Sequence, residues 1–141
     1  MNGMTSIGIC LAVCAVASLT DWRSYRIPNW LTIPAVFLGL GMGAIDGVQG
    51  VLAALVGASV CALTPLILCA LGAMGGGDLK LLMAMGALLG AKLGLTAQLY
   101  AFAAASLWGI GTWRGSKTQL RFAPSVLVGV LGALVSLVGF P

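Results

Sequence analysis

The chain has 141 residues, 60% of them hydrophobic and only 7% charged, with seven Lys and Arg against three acidic residues and a formal net charge of +4. A soluble domain carries roughly a quarter charged residues, so this composition, with a mean hydropathy of +1.10, excludes an ordinary water-soluble globule and predicts an all-α, polytopic membrane protein. At about 20 apolar residues per helical crossing, the length admits six transmembrane helices with short loops, forming a single domain over residues 1–141 with no room for a soluble one.

The first apolar run covers about residues 4–19 and has no Lys or Arg before it. A secretory signal peptide carries a basic segment there, so this run reads as a retained helix. A second run covers 30–45, with Pro34 in its first turns, where a missing N–H is tolerated. Asp46 and Gly47 then form a turn. The third run spans about 48–73. Its Pro65 is compatible with a kinked helix, and Gly75, Gly76 and Gly77 end it, because consecutive glycines favour loop geometry. A short fourth run occupies 79–90, residues 91–94 form the next break, and the Lys92 stem can snorkel there. The fifth run covers 95–113 and the sixth 122–140, separated by the polar stretch 114–121. Four cysteines, Cys10, Cys14, Cys61 and Cys69, lie in apolar runs at helical spacing and read as packing residues, with no C-x-x-C pair.

Cytoplasmic loops are enriched in Lys and Arg. The breaks after the odd-numbered runs hold Arg23, Arg26, Lys80, Arg114, Lys117 and Arg121, whereas those after the even-numbered runs hold only Lys92. This asymmetry places both termini outside the cytoplasm. It also puts Asp21 and Asp78 near the cytoplasmic face and Asp46 on the opposite one.

The chain has no His, which excludes Ser-His and Cys-His nucleophile pairs and every His-containing metal site. Adjacent Ser116 and Lys117 make a poor dyad, because a loop Lys in water stays protonated. With no Glu, acid-base chemistry must draw on Asp21, Asp46 and Asp78. Asp46 reads as a solvated turn residue. Asp21 opens the stretch Asp21-Trp22-Arg23-Ser24-Tyr25-Arg26-Ile27-Pro28-Asn29, and Asp78 follows three glycines. Glycine permits close backbone approach, which suits an extended peptide held beside a carboxylate and equally suits plain helix packing. Two carboxylates at one site do not both ionise easily. One can therefore deprotonate a water while the other protonates an amide carbonyl oxygen, with no metal or cofactor. Lys80, two positions past Asp78, lies on nearly the opposite helical face, so a direct ion pair is not expected. Its expected roles are snorkelling toward lipid phosphates or long-range tuning of Asp78. Intramembrane acids also serve proton-coupled transporters, and a scaffold for pilus or secretion assembly is a further alternative.

At these residues the chain resembles the type IV prepilin peptidases, within the G-x-G-D class of intramembrane aspartyl proteases that also contains presenilin. The matching segments are Asp21 through Ile27-Pro28-Asn29, Gly75-Gly76-Gly77-Asp78-Leu79-Lys80, and, more weakly, Phe122-Ala123-Pro124. The resemblance implies that Asp21 and Asp78 are catalytic, with Gly75, Gly76, Gly77, Lys80, Pro28 and Asn29 shaping the site or holding substrate. It further implies cleavage of prepilins and pseudopilins after a short, usually basic leader ending in Gly, at the cytoplasmic face of the bacterial inner membrane. No cofactor and no nucleic-acid partner are implied. Larger members carry a domain with paired C-x-x-C motifs and N-methylation activity between the first two spans. Here a few residues join those spans, as in the peptidases of Flp-type, tight-adherence pili, and methylation is not expected. Arg121 departs from the Pro that often precedes the aromatic residue of the last span.

Overall fold

A computed structural model describes residues 3–24, 29–72, 74–112 and 122–139. Those residues form five helices: α1 (Gly3–Ser24), α2 (Asn29–Ile45), α3 (Val48–Ala70), α4 (Gly76–Thr112) and α5 (Phe122–Gly139). Tyr25 to Pro28 and the polar stretch with Arg114, Ser116, Lys117 and Arg121 lie outside the described residues.

The helix faces are sorted by side-chain size. On α1 the buried positions Cys10, Cys14, Ala17 and Asp21 recur every three or four residues, and on α2 the corresponding set is Thr32, Ala35, Gly39 and Gly43. That spacing is one face of a helix, and both faces carry mostly small side chains, which let helix backbones approach. Large apolar side chains point outward instead: Leu52, Leu55, Val56, Leu63, Leu66 and Ile67 of α3 are all exposed. An outer surface this apolar is suited to lipid rather than water. Met4–Arg23 and Val48–Ala70 are long and apolar enough to cross a membrane, as is Gly76–Leu107 by length and composition alone, although a break at Gly90 divides it; the apolar parts of α2 and α5 are shorter.

α4 does not run straight. Gly90 has φ 76° and ψ 173°, a conformation that suits glycine because a Cβ would clash there. A straight helix would separate Gly86 and Gly94 by about 12 Å, yet a Cβ built on Gly94 would lie 3.2 Å from the Gly86 Cα. The chain therefore folds back at Gly90, making α4 a hairpin of two rods, residues 76–89 and 91–112. The break sits at one residue, Gly90, whereas the sequence reading placed it at residues 91–94; those four are helical. α3 packs into this hairpin. A Cβ on Gly86 would strike the Gly57 carbonyl oxygen, and one on Gly57 would strike Gly86 and Gly90 backbone. α5 closes the other side, with Gly129 pressed against Ala97 and Ala101. Cys10, Cys14 and Cys61 are buried, Cys69 is partly buried, and all four are free thiols.

Three local expectations are corrected. Gly76 and Gly77 belong to the first turn of α4 rather than to a loop, because the third glycine of the run is followed by an uninterrupted helix-forming sequence that recruits them. α1 continues through Asp21 to Ser24, since Trp22 and Arg23 pose no helical break. α3 ends at Ala70, three residues earlier than expected, where Gly72 at φ 70° donates its N–H to Cys69 O at 3.0 Å and Leu71 donates to Ile67 O at 3.0 Å. A left-handed glycine with such backward bonds is a common way to satisfy the last carbonyls of a helix. Pro65, fully buried, sits inside α3 without ending it.

Candidate active site

Asp21 occupies the last turn of α1 and is buried, 8% exposed. Asp78 occupies the first turn of α4 and is half-buried. The two come from points 57 positions apart in the sequence (78 − 21) and lie close enough for each carboxylate to feel the charge of the other. Asp46 is exposed in the α2–α3 turn, where its N–H donates to Gly43 O at 3.1 Å. It is separated from Asn29 by the full length of α2, roughly 25 Å at 1.5 Å per residue, so it takes no part in the pair.

The start of α4 explains how Asp78 is held. The Gly75 carbonyl accepts from the Asp78 N–H at 3.1 Å and from the Leu79 N–H at 3.4 Å, which makes Gly75 the cap residue of the helix. Asp78 is then the third helical residue. Its carboxylate turns back toward the Gly75 backbone, the reciprocal contact that an acidic side chain makes at this position. The positive end of the helix dipole favours an ionised oxygen there. A Cβ added at Gly75 would meet only Asp78 Oδ2, at 3.6 Å, and one added at Gly76 would meet nothing within 4 Å. Gly75 and Gly76 are exposed, and Gly77 is half-buried. Packing inside this fold accounts for neither Gly75 nor Gly76, unlike the glycines of the α3–α4 seam.

Lys80 is half-buried, and its Nζ donates to Asn29 Oδ1 at 2.9 Å. This partner is one the sequence does not suggest, beside the roles of snorkelling or tuning Asp78. The bond ties the first residue of α2 to the first turn of α4 and so connects the two motifs that bear Asp21 and Asp78. Sequence reasoning named both residues but had no signal for their pairing, which depends on α2 and the rod 76–89 lying side by side. Pro28, one residue before this bond, lies outside the described residues. Ala123 is fully buried and Pro124 partly so in the first turn of α5.

Two further polar side chains escaped the sequence reading. Thr32 is wholly buried on the inner face of α2, and Gln98, in the second rod of α4, is 2% exposed. Gln98 was legible in principle as a lone amide inside an apolar run. Among the described residues no three His, Cys, Asp or Glu side chains gather as a metal site.

Comparison with known proteins bears on residues on both sides of this arrangement. No solved structure matches the chain significantly. Two curated relatives, the prepilin leader peptidase/N-methyltransferase of Burkholderia pseudomallei strain 1026b and that of strain K96243, are each 31% identical over 149 aligned residues, covering 98% of this chain and 47% of the relative. The chain thus spans about half the length of the curated relatives it matches. The model of the type IV leader peptidase family matches residues 8–110, which include both Asp21 and Asp78. By that match, over most of its length, the chain belongs to the type IV leader peptidase family.

Proposed function

We propose that this chain is an intramembrane aspartic endopeptidase that removes the short leader from type IV, Flp-like prepilins and pseudopilins, with Asp21 and Asp78 as its two catalytic groups. The observation that carries this reading is that Asp78, in the first turn of α4, lies near enough to Asp21, in the last turn of α1, to feel its charge, beside glycine backbone that the fold leaves open.

In this reading the pair shares one proton, because like charges at one site disfavour double ionisation. The ionised carboxylate takes a proton from a water held between the two. The resulting hydroxide attacks the scissile carbonyl carbon while the protonated carboxyl gives its proton to the carbonyl oxygen. When the tetrahedral intermediate collapses, the C–N bond breaks, the leaving amine takes up the proton that the first carboxylate removed, and a hydroxyl of the intermediate returns a proton to the second carboxylate. The exposed Gly75 and Gly76 backbone supports close approach of an extended peptide to Asp78. The Lys80–Asn29 bond supports the alignment of the two helices that carry the pair.

The two rods of α4, with the other four helices, supply six apolar segments for the six crossings of this reading. The cation asymmetry supports the aspartate end as the cytoplasmic one and both termini as external, in a bacterial inner membrane. Only four residues separate α1 from α2, too few for a soluble domain between them, which supports peptidase activity without N-methylation. The test is processing of a co-expressed Flp-type prepilin by wild type, Asp21→Asn, Asp78→Asn and Asp46→Asn at matched membrane levels. Loss of cleavage is expected in the first two variants and retention in the third. Normal processing by both Asp21→Asn and Asp78→Asn would refute the assignment.

A further inference from the structure

Gln98 lies inside the bundle, 2% exposed, and neither the nitrogen nor the oxygen of its side-chain amide finds a hydrogen-bond partner among the described residues. An enclosed amide with both ends unmet is costly in an apolar interior, and a native fold that keeps one calls for a reason. The neighbouring helix carries a second orphan. Pro65, fully buried inside α3, has no N–H, so the Cys61 carbonyl one turn earlier loses the donor that would close its helical bond. In a membrane interior such a carbonyl must be met by a neighbouring helix, a polar side chain or an ordered water.

One contact brings the two orphans together. A Cβ on Gly94 would lie 2.7 Å from Cys61 Sγ, so residues 61 and 94 face each other across the seam. Only residues 71–75 join α3 to the rod 76–89; Gly57 meets Gly86 and Gly90 there, while Cys61 meets Gly86. α3 thus runs antiparallel to that rod and parallel to the rod 91–112. Pro65 and Gln98 each follow the contact by four residues, on the same face of their own helices. Ala97, which packs against Gly129 of α5, marks the other flank of the rod. Directions complete the convergence. Side chains in a helix lean toward its N-terminus, which carries the Gln98 amide back toward the level of Gly94. Backbone carbonyls point toward the C-terminus, which carries the Cys61 oxygen forward toward the level of Pro65. Both groups enter the same space, between the 61–94 contact and Pro65.

We propose that this space is a hydration site in the protein core, in which bound water links the Gln98 amide to the Cys61 carbonyl. The ligand class follows from the donors and acceptors present. The carbonyl and the amide oxygen each need a donor, and the amide nitrogen needs an acceptor. Water serves all three, and a buried water is held by about two to four such groups; a cation would leave the amide nitrogen unmet. The site accounts for the continuity of α3 through Pro65, since the carbonyl that the ring strands is satisfied from the side. It also gives α3 a polar tie to the hairpin, at a seam otherwise closed by glycines and Cys61. Nothing in it depends on which reaction the aspartates perform.

The test uses the full-length protein in lipid nanodiscs. Its glutamines are Gln49, Gln98 and Gln119, so Gln49→Glu and Gln119→Glu in protein labelled with heavy nitrogen at glutamine side chains leave the Gln98 amide as the one glutamine signal in its NMR spectrum. In the rotating frame, dipolar transfer from a bound water has the opposite sign to proton exchange. A water cross-peak of the dipolar sign is expected at the Gln98 amide protons, and its absence would overturn the proposal. Thermal unfolding of a second set reads the link to Cys61. Pro65→Ala restores an N–H to the Cys61 carbonyl. Gln98→Met keeps the side-chain length and removes the polar atoms. It should lower the unfolding midpoint by about 4 °C in the wild-type background, where it strands that carbonyl. In the Pro65→Ala background no carbonyl is stranded, and the same change should leave the midpoint level or raise it. Equal shifts in the two backgrounds would overturn the proposal. If Pro65→Ala fails to fold, the cross-peak decides alone.

Discussion

Two sets of glycines in this molecule do opposite work. At the α3–α4 seam, Gly57, Gly86 and Gly94 are filled in by their neighbours, so that a Cβ on any of them would press into backbone or into Cys61. At the start of α4, Gly75 and Gly76 face open space apart from the Asp78 carboxylate. Nothing in residue type alone separates the two sets. Their difference lies in what approaches them: one set is occupied by the protein itself, while the other remains available to a second chain. Glycine lost from the first set should therefore damage the fold, and glycine lost from the second should damage function alone.

The largest effect expected from this contrast is at the seam. Gly86→Ala forces α3 away from the hairpin, and overpacking of this kind costs about 1–3 kcal/mol. Thermal unfolding in detergent should show a lowered midpoint, with processing lost in proportion to the unfolded fraction. Gly76→Ala should behave in the opposite way. Its Cβ has room, and alanine in a helix favours folding by about 0.5–1 kcal/mol relative to glycine, so the midpoint should hold or rise. Cleavage should nevertheless fall by about tenfold, because a methyl group now stands where the peptide comes close. A Gly76→Ala protein that cleaves at the wild-type rate would end the contrast. The smallest effect sharpens it: a double-mutant cycle on Asn29→Ala and Lys80→Met should give a coupling of about 1 kcal/mol. If both single variants match wild type in stability and rate, the bond between the two motifs positions nothing.

Much of this architecture was legible before any coordinates. The helical class, the α2–α3 turn at Asp46 and Gly47, and the grouping of Asp21 with Asp78 away from Asp46 all follow from hydropathy, glycine punctuation and the distribution of cations. Helix ends were less legible, because they depend on local hydrogen bonds. Hydropathy alone stops α1 before Asp21, although nothing in Asp21-Trp22-Arg23 forbids another turn. The hairpin break at Gly90 lies just before the stretch the sequence suggests, since three glycines occur between Gly77 and Leu95 and only backbone torsion distinguishes Gly90 from Gly86 and Gly94. The pairing of Lys80 with Asn29 was illegible for a different reason. It is a contact between elements 51 positions apart, and no periodicity in either segment encodes it.

The reversal at Gly90 bears on the bilayer itself. The rod that carries Asp78 runs only from residue 76 to residue 89, about 21 Å at 1.5 Å per residue, against a hydrocarbon thickness of about 30 Å. That rod is buried almost throughout from Leu81 to Leu89, so protein rather than lipid surrounds it, and the shortfall falls inside the bundle. In the six-crossing reading, the Asp78 end and the Gly90 turn cannot both reach a membrane surface, and the neighbouring helices must shield from oil whichever end stays below it.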